Sequence, residues 1–438
     1  MEQTQYIVAI EIGSSKIVGA IAEKSQSGYV QVTHLEEERL TNSVRYGCIQ
    51  NVENTKGAIN KILKKLENGI DGTINDVYVG ISGRSLHSEV DDVNRNLDNT
   101  RPITDDILEK IIRDAGKDPV KNYETVDIVP RAYYVDNSHT PNPSGQYGNN
   151  INIKVNLIVA KPLIKTNLSR ALSSITHIKG YMVTPLVVAE EILEDRERKL
   201  GVMLVDVGAE TTTVSIYKEG RLLYLTTLPL GGRNITLDVA TGMNTLEETA
   251  ERVKKNINMP LSKNVEVINI DGVKSDEAAN YIKARTGEIA SNINAQLEYA
   301  GVTATDLNSI VLIGGGSQLQ GFADFLSETT KLRVRPGSYP HTLNILDHSI
   351  NRHEYIEVFS LLAKAAEVIP NGQSCVERHI YDDGPALNVE TEPARKPEPE
   401  TVQPKKPQQK SPKKGTLRAW LEEMRKKAEK FASEDTEM

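Results

Sequence analysis

Ile10-Glu11-Ile12-Gly13-Ser14-Ser15 and Val205-Asp206-Val207-Gly208-Ala209-Glu210 are two copies of one pattern: a branched apolar run, an acid, one more apolar residue and a glycine. The offset is constant at 195 residues, from Glu11 to Asp206 and from Gly13 to Gly208. Tyr6–Glu11 and Val202–Val207, which lead into the two turns, are short runs rich in branched residues and stopped by glycine, so both predict buried strands. Each turn feeds a second branched stretch, Lys16–Ile21 or Thr211–Tyr217. The repeated unit is therefore a hairpin: strand, acidic turn, strand. One acid-x-Gly turn occurs in ordinary hairpins, but two copies, one in each half of a long chain, read as a duplication. A further strand, Ser309–Ile313, runs directly into Gly314, Gly315 and Gly316.

A tight turn of glycine and hydroxyl residues aims backbone N–H and side-chain O–H groups at one spot, which suits phosphate oxygens. Two such turns face to face would clamp a polyphosphate, with a carboxylate, Glu11 or Asp206, holding a magnesium ion through water. The phosphate candidates are Gly13, Ser14, Ser15 and Lys16 in the first turn, and Gly208 and Thr211–Thr213 in the second. Lys16 also reads as a strand-edge lysine, and the threonines as ordinary β-formers. Three successive glycines after an apolar strand have no evident packing reason. They clear side chains from a place where a flat base or ribose approaches the backbone.

The 438 residues predict two or three domains. With 52 basic against 60 acidic side chains, the net charge of −8 argues against nucleic acid as a partner. Cys48 and Cys375 are too few for a disulfide framework or a four-thiolate metal site. The eight histidines show no ligand spacing, so no transition metal is expected. The opening MEQTQYIVAI lacks the basic flank and long apolar run of a secretory signal, and no stretch approaches the ~20 apolar residues of a membrane span. A cytosolic chain with only peripheral membrane contact is expected. Asp105–Ala115 and Asp276–Tyr299 have helical spacing, and Asn137–Asn150, with Pro141, Pro143, Gly145 and Gly148, reads as a loop.

These features resemble the actin-like ATPase superfamily, in which 11–15 looks like the first phosphate loop, 206–213 like the second and 312–317 like the adenosine loop. Within it, further segments are similar to the FtsA family of bacterial cell-division proteins. They are Val77-Tyr78-Val79-Gly80-Ile81-Ser82-Gly83-Arg84, Pro130–Asp136 followed by Asn142-Pro143-Ser144-Gly145, Leu230-Gly231-Gly232-Arg233-Asn234-Ile235-Thr236 with Asp238, and Ala250-Glu251-Arg252-Val253-Lys254. The resemblance implies an α/β, two-lobed, actin-like (ribonuclease H-like) fold with four subdomains. Residues 1–84 and 166–200 would form the first lobe, with an inserted subdomain at 85–165 for polymer and partner contacts. Residues 201–228 and 306–384 would form the second lobe, with a partner-binding subdomain at 229–305. It also implies ATP and Mg2+ in the interlobe cleft, head-to-tail polymerisation, and capture of the C-terminal peptide of the ring protein FtsZ. The adenosine candidates are then Gly314, Gly315, Gly316 and Ser317. Glu251 and Lys254 would frame the ribose, or else form an exposed ion pair. Arg285, on the helix 276–299, stands where the family places a basic residue against an acidic tail peptide; otherwise it is one solvated charge. Asp206 keeps the family's usual acid and is the metal candidate, whereas Glu11 replaces the usual aspartate. After Lys254 the usual aromatic–glycine turn is replaced by Lys255–Pro260. These departures point to nucleotide binding with at most slow hydrolysis.

Residues 385–412 hold seven prolines, and between Thr391 and Lys414 only Ala394 and Val402 are apolar. Such composition predicts a flexible linker over 385–414. Beyond it, Leu417, Trp420, Leu421, Met424, Ala428 and Phe431 fall on one helical stripe. Seven basic against three acidic side chains from Lys413 to Phe431 give a local net charge of +4. Thr416 can cap this helix, which is expected over 415–434. A basic amphipathic helix predicts an interfacial anchor on anionic lipids; docking on the chain's own body or a partner groove is the alternative. Taken with these features, the resemblance to the FtsA family implies an ATP-binding, polymerising protein on the cytoplasmic side of the membrane at the division septum. There it would tether the FtsZ ring and help recruit later division proteins. The rivals are an actin-superfamily kinase or ATPase, a chaperone, and a PilM-like adaptor of type IV pilus assembly. The first lacks its base and hexose motifs here, the second its β domain, and the third generally lacks a long linker with a terminal membrane helix.

Overall fold

The computed structural model describes residues 4–117, 120–257, 269–345, 347 and 349–378. The expected linker (385–414) and the terminal helix with Leu417, Trp420, Leu421, Met424 and Phe431 lie outside the described residues, as do Asn258–Pro260. The chain opens with β1 (Gln5–Ile12), β2 (Lys16–Lys24), β3 (Val30–Arg39), β4 (Val44–Arg45), β5 (Cys48–Ile49), α1 (Val52–Glu67), β6 (Gly72–Ile74) and β7 (Asp76–Ile81). The inserted subdomain follows as β8 (His87–Asn96), α2 (Asp105–Ala115), β9 (Glu124–Val135), β10 (Ser138–Thr140) and β11 (Asn150–Ala160). Then come α3 (Pro162–Leu172), β12 (His177–Val183), α4 (Thr184–Ile192) and α5 (Asp195–Leu200). The second half contains β13 (Val202–Val207), β14 (Thr212–Lys218), β15 (Arg221–Leu228), α6 (Gly232–Gly242), α7 (Glu247–Asn256), β16 (Asn269–Ile270), β17 (Val273–Lys274) and α8 (Ser275–Tyr299). It closes with β18 (Ser309–Ile313), α9 (Phe322–Thr330), β19 (Arg333–Pro336), β20 (Leu343–Ile345), α10 (Ile356–Val368) and β21 (Val376–Arg378).

The duplication extends well past the two hairpins. One sheet runs β12-β7-β1-β2-β3-β20, and the other contains β19-β18-β13-β14-β15. Five strands thus keep the same order twice. In both sheets the first three strands are antiparallel and the added two parallel. The register repeats too: Glu11 faces Val18 and Asp206 faces Thr213.

Strand alternation decides which way each acid points. Val202 and Leu204 of β13 pack into the core shared with the first lobe, whereas Met203, Val205 and Val207 pack into the core under α6, α8 and α9. Asp206 continues the first set and so faces the first lobe. There α10 packs on β1, β2, β7 and α4, its Phe359, Leu361 and Leu362 fully buried.

Three features depart from expectation. The 343–378 segment, expected with the second lobe, belongs to the first. β20 pairs with β3, β21 pairs with β6, and α10 joins the first lobe's core. The insert leaves the chain within the first lobe, but its strands β8, β11, β9 and β10 continue the second lobe's sheet beyond β15. That seam is held by Leu225 N donating to Ser88 Oγ at 2.9 Å and by the buried Asn156 donating Nδ2–H to the Leu222 carbonyl at 2.7 Å. Finally, the expected loop 137–150 contains β10 and the first residue of β11. Asp136 and Asn137 both take positive φ (47° and 68°), so they turn β9 directly into β10.

Candidate functional site

The two loops close with the same hydrogen bond: Gly13 N to Lys16 O at 3.0 Å and Gly208 N to Thr211 O at 2.8 Å. Both acids feel the charge of Glu357, in the N-terminal turn of α10. Burial, and then the charge of Glu357, pushes Glu11 up to about 8, partly offset by Lys16. Burial and the charges of Glu357 and Glu11 raise Asp206 well above the usual carboxylate range. Burial also raises Glu357. Like charges gathered in a poorly hydrated site disfavour ionisation, and a cation would relieve them. The buried Asp206 Oδ1 has no hydrogen-bond partner. An orphaned acceptor of this kind fits a divalent ion or its bound water. Among the described residues no three His, Cys, Asp or Glu side chains gather in ligand geometry. Asp206 could hold such an ion only with ligands supplied from outside the protein. Glu357 is absent from the sequence-based candidates; its one signal is a lone acid opening the apolar helix Ile356–Val368.

The first loop is partly committed already. Lys16 Nζ lies 2.8 Å from Glu37 Oε2 and 4.1 Å over the Tyr355 ring, so the strand-edge pairing holds it. Ser14 Oγ accepts from Gly47 N at 2.8 Å, and Ser15 is exposed. In the second loop Thr212 is fully buried and its hydroxyl donates to Leu230 O at 2.8 Å, while Thr213 pairs with Thr227 at 3.2 Å. Those two hydroxyls brace the loop from behind; Gly208 and Thr211 form its part-exposed turn.

Around the second loop the remaining candidates gather. Gly232 N donates to Gly208 O at 2.9 Å, and Arg233 N to Ala209 O at 2.7 Å, setting the start of α6 on the loop. Lys254 Nζ reaches Glu251 Oε2 at 2.6 Å, Thr236 Oγ1 at 2.9 Å and Gly232 O at 3.0 Å. Lys254 is mostly buried, and burial holds its ammonium below the usual lysine range despite Glu251. The pair ties α7 to α6 and is not an exposed ion pair. The glycine run has a packing reason after all. A Cβ on Gly314 (φ 86°) would overlap Asp206 Oδ1 and the Val207 carbonyl, and one on Gly316 would overlap Val207. Gly315 alone faces open space. Ser317 Oγ donates to Gly314 O at 2.6 Å and stiffens the turn.

Glu210, also missed as a site residue, is buried between Arg45 Nε and Arg233 Nη1, each at 2.8 Å. An acid inside a loop that reads as anion-binding is the signal that could have found it. Arg285 is not a free charge: it grips Asp238 of α6 at 2.6 and 3.0 Å and Glu288 at 2.5 Å.

The family model described as "Cell division protein FtsA" matches residues 203–359, and "SHS2 domain inserted in FTSA" matches residues 83–159, close to the insert. Together they span more than half of the chain. The cell division protein FtsA of Porphyromonas gingivalis is 29% identical over 345 residues, covering 74% of this chain and 72% of its own length. That of Bacillus subtilis is 26% identical over 366 residues, covering 79% and 81%. A solved "PilM-PilN type IV pilus biogenesis complex" aligns with a TM-score of 0.59 at 17% identity, over 83% of this chain and 99% of that one, a likeness of fold alone. With two family models in order along the sequence and a twice-repeated actin-like sheet beneath them, the chain belongs to the FtsA family of cell-division proteins.

Proposed function

We propose that the cleft binds ATP with Mg2+, and that the protein polymerises head to tail on the cytoplasmic face of the cell membrane. There it tethers the FtsZ ring through that protein's C-terminal peptide and helps recruit later division proteins. One observation carries the nucleotide reading. The acid–glycine hairpin occurs twice, the charge of Glu11 in one raises Asp206 in the other, and Asp206 Oδ1 lies where a Cβ on Gly314 would fall. Gly13, Ser14 and Gly208 would meet the phosphates, Asp206 the magnesium, and Gly315 with Ser317 the nucleoside. The role is structural first. Glu11 is one methylene longer than the family's aspartate, which shifts its carboxylate and favours slow turnover.

The membrane role rests on the sequence of 413–431. Each basic residue near an anionic leaflet adds about 1 kcal/mol, and polymerisation multiplies a moderate single-helix affinity by avidity. Among the described residues no helix is long and apolar enough to cross a membrane. Sedimentation with anionic liposomes tests the anchor. Full-length protein should pellet with lipid and recruit the FtsZ tail peptide, and deletion of 415–438 should release both. Lipid binding unchanged by the deletion would refute the anchor, and a tail peptide that never pellets would favour the pilus-adaptor reading.

A further inference from the structure

The turn between β4 and β5 touches both halves of the cleft. Val44 pairs with Ile49 and Arg45 with Cys48, leaving Tyr46 (φ 52°) and Gly47 (φ 70°) as the two central residues. Two successive left-handed residues make a type I′ turn. Its central amides are each taken by a different lobe. Tyr46 N donates to Glu210 Oε2 at 2.7 Å, in the second loop, and Gly47 N donates to Ser14 Oγ at 2.8 Å, in the first. The turn has little freedom to drift, because a Cβ on Gly47 would overlap the backbone of Gly83 and Arg84 N donates to Tyr46 O at 3.0 Å.

Glu210 is only 3% exposed. It is neutralised by one arginine from each lobe, Arg45 and Arg233. Arg233 in turn reaches Glu247 at 2.6 Å and, back across the cleft, Asn42 Oδ1 at 3.4 Å. A bare carboxylate in this loop would repel phosphate. Arg45 and Arg233 balance Glu210 and Glu247, so the cluster carries no net negative charge, and it ties the lobes together.

We propose that Glu210 is a positioning residue acting across the cleft: from the second loop it holds the Tyr46-Gly47 turn, and through Gly47 it fixes the Ser14 hydroxyl of the first loop. The phosphate part of this role rests on the nucleotide reading above; the latch between the lobes does not. It sets the interlobe spacing before any nucleotide enters, so nucleotide exchange requires breaking it.

The test uses nucleotide-free, full-length protein carrying spin labels at the exposed positions Lys61 on α1 and Asp324 on α9. A narrow interlobe distance distribution is expected in the parent protein and a broadened one in Glu210→Ala. Should that variant fail to fold, Arg45→Gln, which leaves the Glu210–Arg233 pair in place, is expected to broaden the same distribution. Release of a fluorescent ATP analogue should quicken about tenfold in either variant, in keeping with the loss of a desolvated charge pair. A lowered melting temperature with an unmoved interlobe distance would mean a merely structural role and overturn the latch. If the parent protein bound no nucleotide, the proposed function would fall, and the distance measurement would still decide the latch.

Discussion

The charge of Glu357, at the start of α10, raises the pKa of Asp206 in the second hairpin, and Glu11 of the first hairpin raises it further. Like charges this close disfavour one another's ionisation, and a cation bound by Asp206 would relieve them. At pH 8 and without nucleotide, Glu357→Gln should stabilise the protein by about 1–2 kcal/mol, because it removes a like charge that acts on both Asp206 and Glu11. Denaturant unfolding checks this, and a destabilised variant would show that the carboxyl itself holds α10 in place.

A second acid offers a pH test away from the cleft. Burial, and then the charges of Glu367 and Glu190, push Glu191 of α4 up to about 7, with Lys364 opposing. The native state thus binds a proton that the unfolded chain has released, so this contribution is complete below about pH 4.5 and is lost as pH rises through about 7. Glu191→Gln should flatten the fall in stability between pH 5 and pH 8, by about 1–2 kcal/mol across that window once solvent screening is allowed for. Urea midpoints at four pH values would show it; parallel curves for variant and parent would contradict the assignment.

The neighbouring glycines separate fold from binding. Gly314→Ala forces a Cβ at φ 86° onto Asp206 and Val207 and should cost about 2–4 kcal/mol of stability. Gly315→Leu projects into open space, so it should leave the melting temperature within a degree or two while blocking nucleotide. Calorimetric titration of both variants distinguishes the two effects. Wild-type affinity in Gly315→Leu would remove the adenosine assignment.

Arg285 is held by Asp238 and Glu288, so an acidic peptide would have to compete for it. Asp238→Asn should free the guanidinium and tighten binding of an acidic FtsZ tail peptide several-fold at low salt, with the gain shrinking as salt rises. Arg285→Ala should weaken the peptide and destabilise the α6–α8 contact by about 1 kcal/mol. Peptide affinity indifferent to both changes would place the partner surface elsewhere.

Much of this architecture was legible where the signal is local. Val202–Val207, Ser309–Ile313 and Asp105–Ala115 form as read, because an unbroken branched run or a 3–4 apolar spacing leaves little choice of element. The duplicated hairpin was legible because its turn needs an acid and a glycine at fixed offsets. What stayed hidden is non-local. The joining of the insert to β15 rests on one strand pair, Thr226 with His87, and a few side-chain bonds. The return of 343–378 to the first lobe depends on pairing with strands more than 300 residues earlier. Glu210 and Glu357 escaped because the roles of a buried acid are set by arginines and acids brought in from other elements. Thr212 misled because a threonine beside a turn reads the same whether its hydroxyl faces the cleft or, as here, the backbone behind it.

Titration of ATP with magnesium into the full-length protein, compared with Glu11→Gln and Asp206→Asn, bears most directly on whether the duplicated hairpins act as one site. One nucleotide per chain is expected, with the same site weakened at least tenfold by either substitution, since each hairpin contributes one acid to it. Two independent sites, or an affinity that responds to one hairpin and ignores the other, would contradict a shared grip on a single triphosphate.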